Sequence, residues 1–222
     1  MKKMSIVIIS DTHNKHKLLT LPPADTIIHC GDFTSMGKEH EIRGFMKWFS
    51  NLDQYINKII IAGNHEWLFE KSGFFARSFV PYNVVYLEDS GFIIDDIKFY
   101  GIPVQKHFCN WAFNRHPEVL KKHWEAIPGD TDILITHTAP YNILDYVLHN
   151  NSHEGESALY DEVTKRIKPT LHCFGHLHGG RGIVEINGTT FINASNLDDD
   201  YNCVHEPVLL EIIGNKAHII SH

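Results

Sequence analysis

The sequence predicts an α/β fold built on parallel strands, and three observations lead there. Short unbroken runs of branched apolar residues, Ser5 to Ser10 (SIVIIS), Thr26 to His29 (TIIH) and Lys58 to Ala62 (KIIIA), have the composition of strands buried on both faces. Between the last two, Glu39 to Leu52 sets Ile42, Phe45, Met46, Phe49 and Leu52 at the spacing of an amphipathic helix. Strand, helix, strand is the punctuation of a sheet with helices on its faces. With 222 residues, 43% of them hydrophobic, the chain can bury one sizeable core, so residues 1–222 are expected to form a single domain.

The remaining elements come in order along the chain. VVYL, GFIID and IKFYG, within Asn83 to Tyr100, read as antiparallel strands, with Asp95-Asp96 turning between the last two. Pro117 to Ile127 reads as a short helix, with Pro117 in the first turn where a missing N–H costs little. Ile133 to Thr136 is a further buried strand, Gly155 to Ile167 a helix closed by Pro169, and Leu171 to Phe174 one more strand. Beyond Gly182 two hairpins are expected, turning at Asn187-Gly188 and Gly214-Asn215, which supply the positive φ of two-residue turns. The stretches Pro103 to Arg115 and Ala139 to Glu154, rich in His, Asn and aromatics, are expected to be loops that shape a binding site.

Composition removes several function classes. A net charge of −7 disfavours a protein that coats long nucleic acids, which needs a basic face. The start, MKKMSIVIISD, imitates a leader, but its apolar run breaks at Asp11, and no stretch approaches the length of a membrane span. The expected location is the cytoplasm, with no membrane partner. Cys30, Cys109, Cys173 and Cys203 include no CxxC pair and are expected to be reduced, mostly buried thiols. The 17 histidines raise the expectation of metal chemistry without locating it.

The location comes from the strand ends. SIVIIS runs into Asp11-Thr12-His13, TIIH into Cys30-Gly31-Asp32, and KIIIA into Gly63-Asn64-His65-Glu66. ILIT runs into His137, and LHCF into Gly175-His176-Leu177-His178. Five buried strands thus deliver Asp, Asn or His at their carboxyl ends, which in open α/β sheets converge on a ligand crevice. Asp11, His13, Asp32, Asn64, His137, His176 and His178 could surround one point, a set that two divalent ions sharing a carboxylate would use in full. Mixed imidazole and carboxylate donors suit Mn, Fe, Ni or Zn better than Mg or Ca.

In order and spacing these motifs resemble those of the calcineurin-like metallophosphoesterases, over about residues 5–196. Within that superfamily, NWAFNR, HWEAIPGDTDILITHTAP and FGHLHGGRG…FINAS are similar to the small metallophosphodiesterase branch that includes the vertebrate metallophosphoesterase-domain-containing proteins. The resemblance implies a four-layer αββα sandwich, two mixed sheets flanked by helices. It implies that Asp11, His13 and His178 hold one metal, that Asn64, His137 and His176 hold the second, and that Asp32 bridges them. A metal-bridging hydroxide would then attack phosphorus, and His65 would touch the phosphate and assist the leaving group. Two departures stand out. Relatives carry Thr-His-Gly-Pro-Pro where this chain has Thr136-His137-Thr138-Ala139-Pro140, and an acidic residue where it has Gly179.

Arg181 and Asn114 are candidate substrate contacts, Arg181 because guanidinium matches phosphate geometry, with an exposed strand-start charge as its plainer role. Trp111 and Phe113 either line a base-stacking wall or pack a loop, and Asp198-Asp199-Asp200 reads as a solvated turn. The expected function is a binuclear metal-dependent phosphodiesterase acting on small diesters, cyclic nucleotides among them. The alternatives are a phosphomonoesterase or protein phosphatase, a non-catalytic docking module, and a nuclease on long DNA, which the acidic balance opposes.

Overall fold

The computed structural model describes residues 3–222 and contains two six-stranded mixed sheets. The first is assembled from β1 (Lys3–Ile9), β2 (Thr26–His29), β3 (Asn57–Ile60), β4 (Val85–Tyr86), β15 (Val208–Ile213) and β16 (Lys216–Ser221), in the order β16-β15-β1-β2-β3-β4. Strands β1 to β4 run parallel, and the C-terminal hairpin adds antiparallel to β1. The second sheet takes β5 (Ser90–Ile94), β6 (Ile97–Ile102), β9 (Ile133–Thr136), β12 (Leu171–Phe174), β13 (Gly182–Ile186) and β14 (Thr189–Asn193), in the order β13-β14-β12-β9-β6-β5. Its four central strands are parallel and both edges antiparallel. Two short ribbons lie outside the sheets, β7 (Gln105–Lys106) with β8 (Asn114–Arg115), and β10 (Tyr146–Val147) with β11 (Ser152–His153).

Continuous apolar runs become two-sided strands because each alternate residue finds its own core. Ile6 and Ile8 of β1 face the layer between the sheets, together with Ile28, Ile59, Ile133, Ile135, Leu171 and Ile192. Val7 and Ile9 face outward and join Phe45, Met46 and Phe49 of α1 (Glu39–Ser50) in a second cluster. That cluster also holds Leu134 and Phe174 of the second sheet with Leu120 and Trp124 of α4 (Pro117–Glu125). Helices α2 (Trp67–Lys71) and α3 (Gly73–Arg77) come after β3, and α5 (Ser157–Asp161) precedes β12. Both C-terminal hairpins turn where expected: Asn187 and Gly188 have φ of 53° and 87°, and Gly214 has φ 63°.

Three expectations are corrected. VVYL does not pair antiparallel with the GFIID strand: β4 adds parallel to β3 in the first sheet, and the chain then crosses to the second sheet at Asp89, whose φ is 47°. The helix expected over Gly155–Ile167 is one α-helical turn, α5, running into a π-helical turn at Glu162–Arg166. There Arg166 reaches back to the carbonyls of Ile127 (2.8 Å) and Trp124 (3.1 Å) at the end of α4. The four cysteines are free, but only Cys30 and Cys173 are buried, Cys109 being exposed. No helix among the described residues is long and apolar enough to cross a membrane.

Candidate active site

The two sheets are joined at the carboxyl ends of their strands. Ser10, just past β1, forms a parallel bridge with Ser195, just past β14, and exchanges hydrogen bonds with Asn196 (Ser10 N to Oδ1 3.1 Å, Asn196 N to Ser10 O 3.0 Å). Around this seam the loops after β1, β2, β3, β9 and β12 bring Asp11, His13, Asp32, Asn64, His65, His137, His176 and His178 together. The backbone is bent to do it: Asp11, His13, Asp32 and His176 hold left-handed φ of 52°, 39°, 56° and 68°. Such conformations are costly for residues with a Cβ, and the surrounding bonds must hold them in place.

Asp32 Oδ2 is the centre of the cluster. It lies 3.3 Å from His137 Nε2 and 3.8 Å from Nε2 of both His13 and His65. These separations exceed ordinary hydrogen-bond lengths, and the donor atoms of Asp11, His13 and His178, and of Asp32, His137 and His176, each lie within 4.8 Å of one another. Four rings are aimed in the same way, each through an Nδ1 tied to a backbone carbonyl. His13 bonds Thr34 O (3.2 Å), His65 bonds Ser35 O (2.5 Å), His137 bonds Cys30 O (2.9 Å) and His178 bonds Asp198 O (2.9 Å). This fixes the tautomer so that Nε2 faces inward, the arrangement of metal-binding imidazoles. His13 Nε2 is buried there with no hydrogen-bond partner. The residues therefore fit divalent cations: convergent imidazoles, carboxylates and one amide, with an orphaned lone pair among them.

The electrostatics call for positive charge at the same place. Burial alone would raise Asp11 and Asp32, but His178 beside Asp11, and His137 and His65 beside Asp32, hold both well below the usual carboxylate range. Burial would lower His137 and His178, yet the facing carboxylates Asp32 and Asp11 raise each to about 9. His13 and His176 have no such dominant partner, and burial lowers them to about 4 and about 3.

Close packing accounts for two of the motif glycines, Gly63 and Gly175. A Cβ on Gly175 would stand 2.0 Å from Asp11 Oδ2, and one on Gly63 would stand 2.3 Å from Asp32 Oδ1. Of the three motif glycines only Gly31, with φ 97°, uses a backbone region reserved for glycine.

Glu66 and Ser195 support the site in ways that sequence reasoning missed. The fully buried Glu66 carboxylate accepts from the backbone N–H groups of Gly63 (2.6 Å), Asp32 (2.9 Å) and Thr34 (2.9 Å) and from Thr34 Oγ1 (2.8 Å). It thus staples the Asp32 loop to the Asn64 loop, and burial with Asp32 nearby raises its pKa to about 7. Ser195 Oγ donates to Asp11 Oδ2 (2.8 Å). His29 Nε2 bonds Thr12 Oγ1 (2.9 Å) and His172 Nε2 bonds Thr136 Oγ1 (2.8 Å), so each strand histidine steadies a threonine beside ligand candidates. A carboxylate placed directly after Asn64-His65 was the one available signal for Glu66.

Above the cluster is a cavity of about 340 Å³, with Lys106, Phe108, Trp111 and Glu154 on its walls as well as Gly179, Asp199 and Tyr201. Trp111 stacks on His65 (4.2 Å between centroids, 26° between planes), while Tyr201 packs edge-on against His13 and His178 (5.0 and 5.2 Å). Arg181 is not on these walls. Its guanidinium is turned away and donates to the carbonyls of Ser195 (3.2 Å) and Glu206 (2.7 Å), with its pKa lowered to about 10 by burial. Asn114 is absent from them too: its amide donates to the carbonyls of Phe108 (3.0 Å) and Cys109 (3.1 Å) and so holds its own loop closed. Phe113 is core, and Thr138 is buried away from the cavity. The Asp198–Asp200 segment does more than turn: besides the Asp198 carbonyl on His178, Asp199 Oδ1 accepts from Gly179 N (3.0 Å).

Comparison with known proteins agrees with this geometry. A sequence model of the calcineurin-like phosphoesterases matches residues 4–180. Human metallophosphoesterase domain-containing protein 1 is 34% identical, over 93% of this chain and 70% of its own length. A UPF0046 protein of Caenorhabditis elegans is 32% identical over 94% of this chain and 75% of its own. Among solved structures, the TT1561 protein of Thermus thermophilus superposes with a TM-score of 0.69 over 99% of both chains at 14% identity, a likeness of fold. The chain belongs to the calcineurin-like phosphoesterases, a family of metal-dependent phosphoester hydrolases.

Proposed function

We propose that this chain is a binuclear metal-dependent phosphodiesterase acting on small diesters, cyclic nucleotides among them. The observation that carries the reading is Asp32 Oδ2 set among three inward-facing Nε2 atoms, with a complete donor group on either side. Asp11, His13 and His178 would hold one divalent cation and Asn64, His137 and His176 the other, with Asp32 shared; Mn, Fe, Ni or Zn suit these donors best. Cations bound there would neutralise phosphoryl oxygens and make water nucleophilic at neutral pH.

The protein's own part is positioning and proton transfer. As water oxygen bonds to phosphorus and its proton passes to solvent, the opposite phosphorus–oxygen bond breaks, and His65 Nε2 donates a proton to the departing oxygen. The Ser35 carbonyl and the Trp111 ring hold that imidazole in place. A diester has two arms, and the cavity offers each a wall: Trp111 on the His65 side, Tyr201 and Asp199 on the His178 side.

The test is hydrolysis of bis-p-nitrophenyl phosphate against p-nitrophenyl phosphate by apo protein refilled with Mn, Ni, Zn or Mg. Faster, metal-dependent cleavage of the diester is expected. Preference for the monoester would move the chain to the phosphatases, and silence on both with metals bound would end the catalytic reading.

A further inference from the structure

Lys106 and Glu154 form an ion pair on the cavity wall (Nζ to Oε2 2.7 Å), with their side chains 36% and 31% exposed. Lys106 is the one lysine or arginine among the described residues of that lining. Neither partner is loosely placed. Lys106 belongs to β7, tied to β8, and Glu154 Oε1 accepts from Asn150 Nδ2 (3.0 Å) and Ser152 Oγ (2.6 Å). The loop that carries Glu154 is pinned by the buried Asp145 carboxylate, which accepts from the N–H groups of Asn142 (3.0 Å) and Gly155 (2.9 Å) and pairs with His153 (2.6 Å).

A solitary lysine here would favour an arm bearing extra negative charge. Paired with Glu154, it contributes no net charge; what remains is two spare N–H donors next to one spare carboxylate lone pair, one hydrogen bond apart. An alkyl or aryl arm laid across the pair would strip water from both heads and return nothing. Two adjacent hydroxyls, each both donor and acceptor and held close by one carbon–carbon bond, would replace that water at both heads. We propose that the Lys106–Glu154 pair is a subsite for a vicinal diol on one ester arm, so that the substrates are diesters of polyhydroxylated alcohols. This rests on the phosphodiester reading of the site and deepens it, narrowing the substrates to diesters that keep two adjacent free hydroxyls, which cyclic nucleotides do not.

The experiment is calorimetric titration of the metal-loaded protein with bis(2,3-dihydroxypropyl) phosphate and with dipropyl phosphate. Both are symmetric diesters of equal charge and carbon chain, so arm orientation does not matter and only the hydroxyls differ. The dihydroxy compound is expected to bind about tenfold more tightly, the worth of about one hydrogen bond to a charged group. That ratio should fall to about two or less in Lys106→Met and in Glu154→Gln, each lacking one half of the pair. Equal binding by the wild type, or an undiminished ratio in both variants, overturns the subsite. Cleavage of bis-p-nitrophenyl phosphate, measured separately, keeps the two readings apart. A protein that cleaves it but ignores the hydroxyls loses only the subsite, whereas one that cleaves no diester loses the phosphodiesterase reading whatever the ratio.

Discussion

His65 is held on three sides: Trp111 stacks on one face, His13 meets it at 78° with 4.5 Å between centroids, and the Ser35 carbonyl takes its Nδ1. Only Nε2 is left to face the reacting groups. Replacing it should therefore cost most where the leaving oxygen needs a proton. His65→Ala is expected to keep its metal content and lose about 10²–10³ in kcat on alkyl leaving groups, with a much smaller loss on p-nitrophenolate. Trp111→Leu should show the same pattern at about tenfold, with KM little changed and Trp111→Phe recovering most of the loss, since a ring held ~1 Å out of place costs heavily in rate. Equal losses on both leaving groups would remove the proton-donor role. At this scale the residues legible in sequence were those just past buried strands, because strand and ligand are adjacent in the chain. Arg181 misled because its acceptors, the Ser195 and Glu206 carbonyls, lie 14 and 25 residues further on. Lys106 and Glu154, 48 residues apart, became neighbours only through folding.

The strands beneath the site carry their own pH dependence. His29 in β2 and His172 in β12 are fully buried, and burial lowers both to about 3, so the fold holds them neutral. An unfolded histidine titrates near 6.5, so below that pH the unfolded chain takes up protons that the folded chain refuses. The stability involved is intact above about pH 6.5 and is lost as the pH falls toward about 3, about 2 kcal/mol per histidine by pH 5. His172→Gln should consequently lose about 2 kcal/mol less than wild type between pH 7 and pH 5 in urea unfolding. An unaltered pH dependence would mean that His172 does not carry it. Strand identity was readable from composition, but partner choice was not. VVYL is a sound strand, yet whether it joins β3 or β5 is settled by where Asp89 turns the chain and by Leu87 entering the layer between the sheets.

For the whole molecule the site is a clasp between two sheets: three of its loops leave the first sheet and two leave the second. Cations bound to such a clasp stabilise the native state by mass action, about 4 kcal/mol when they exceed the dissociation constant a thousandfold. For a chain of this size chelation should lower Tm on the order of 10 °C, read by calorimetry with and without EDTA. The apo protein should still fold, because His137 and His178, raised to about 9, set their protons against the buried Asp11 and Asp32. A Tm indifferent to chelator would contradict metal binding at the seam. By itself the sequence determined the two-sided strands, the hairpin turns and the placing of Asp, Asn and His side chains at five strand ends, since these depend on residues a few positions apart. Only the tertiary structure decided which carbonyls aim the rings, that Arg181 faces away, and that Lys106 meets Glu154 on the cavity wall. Those are contacts between distant segments, fixed by how the two sheets pack.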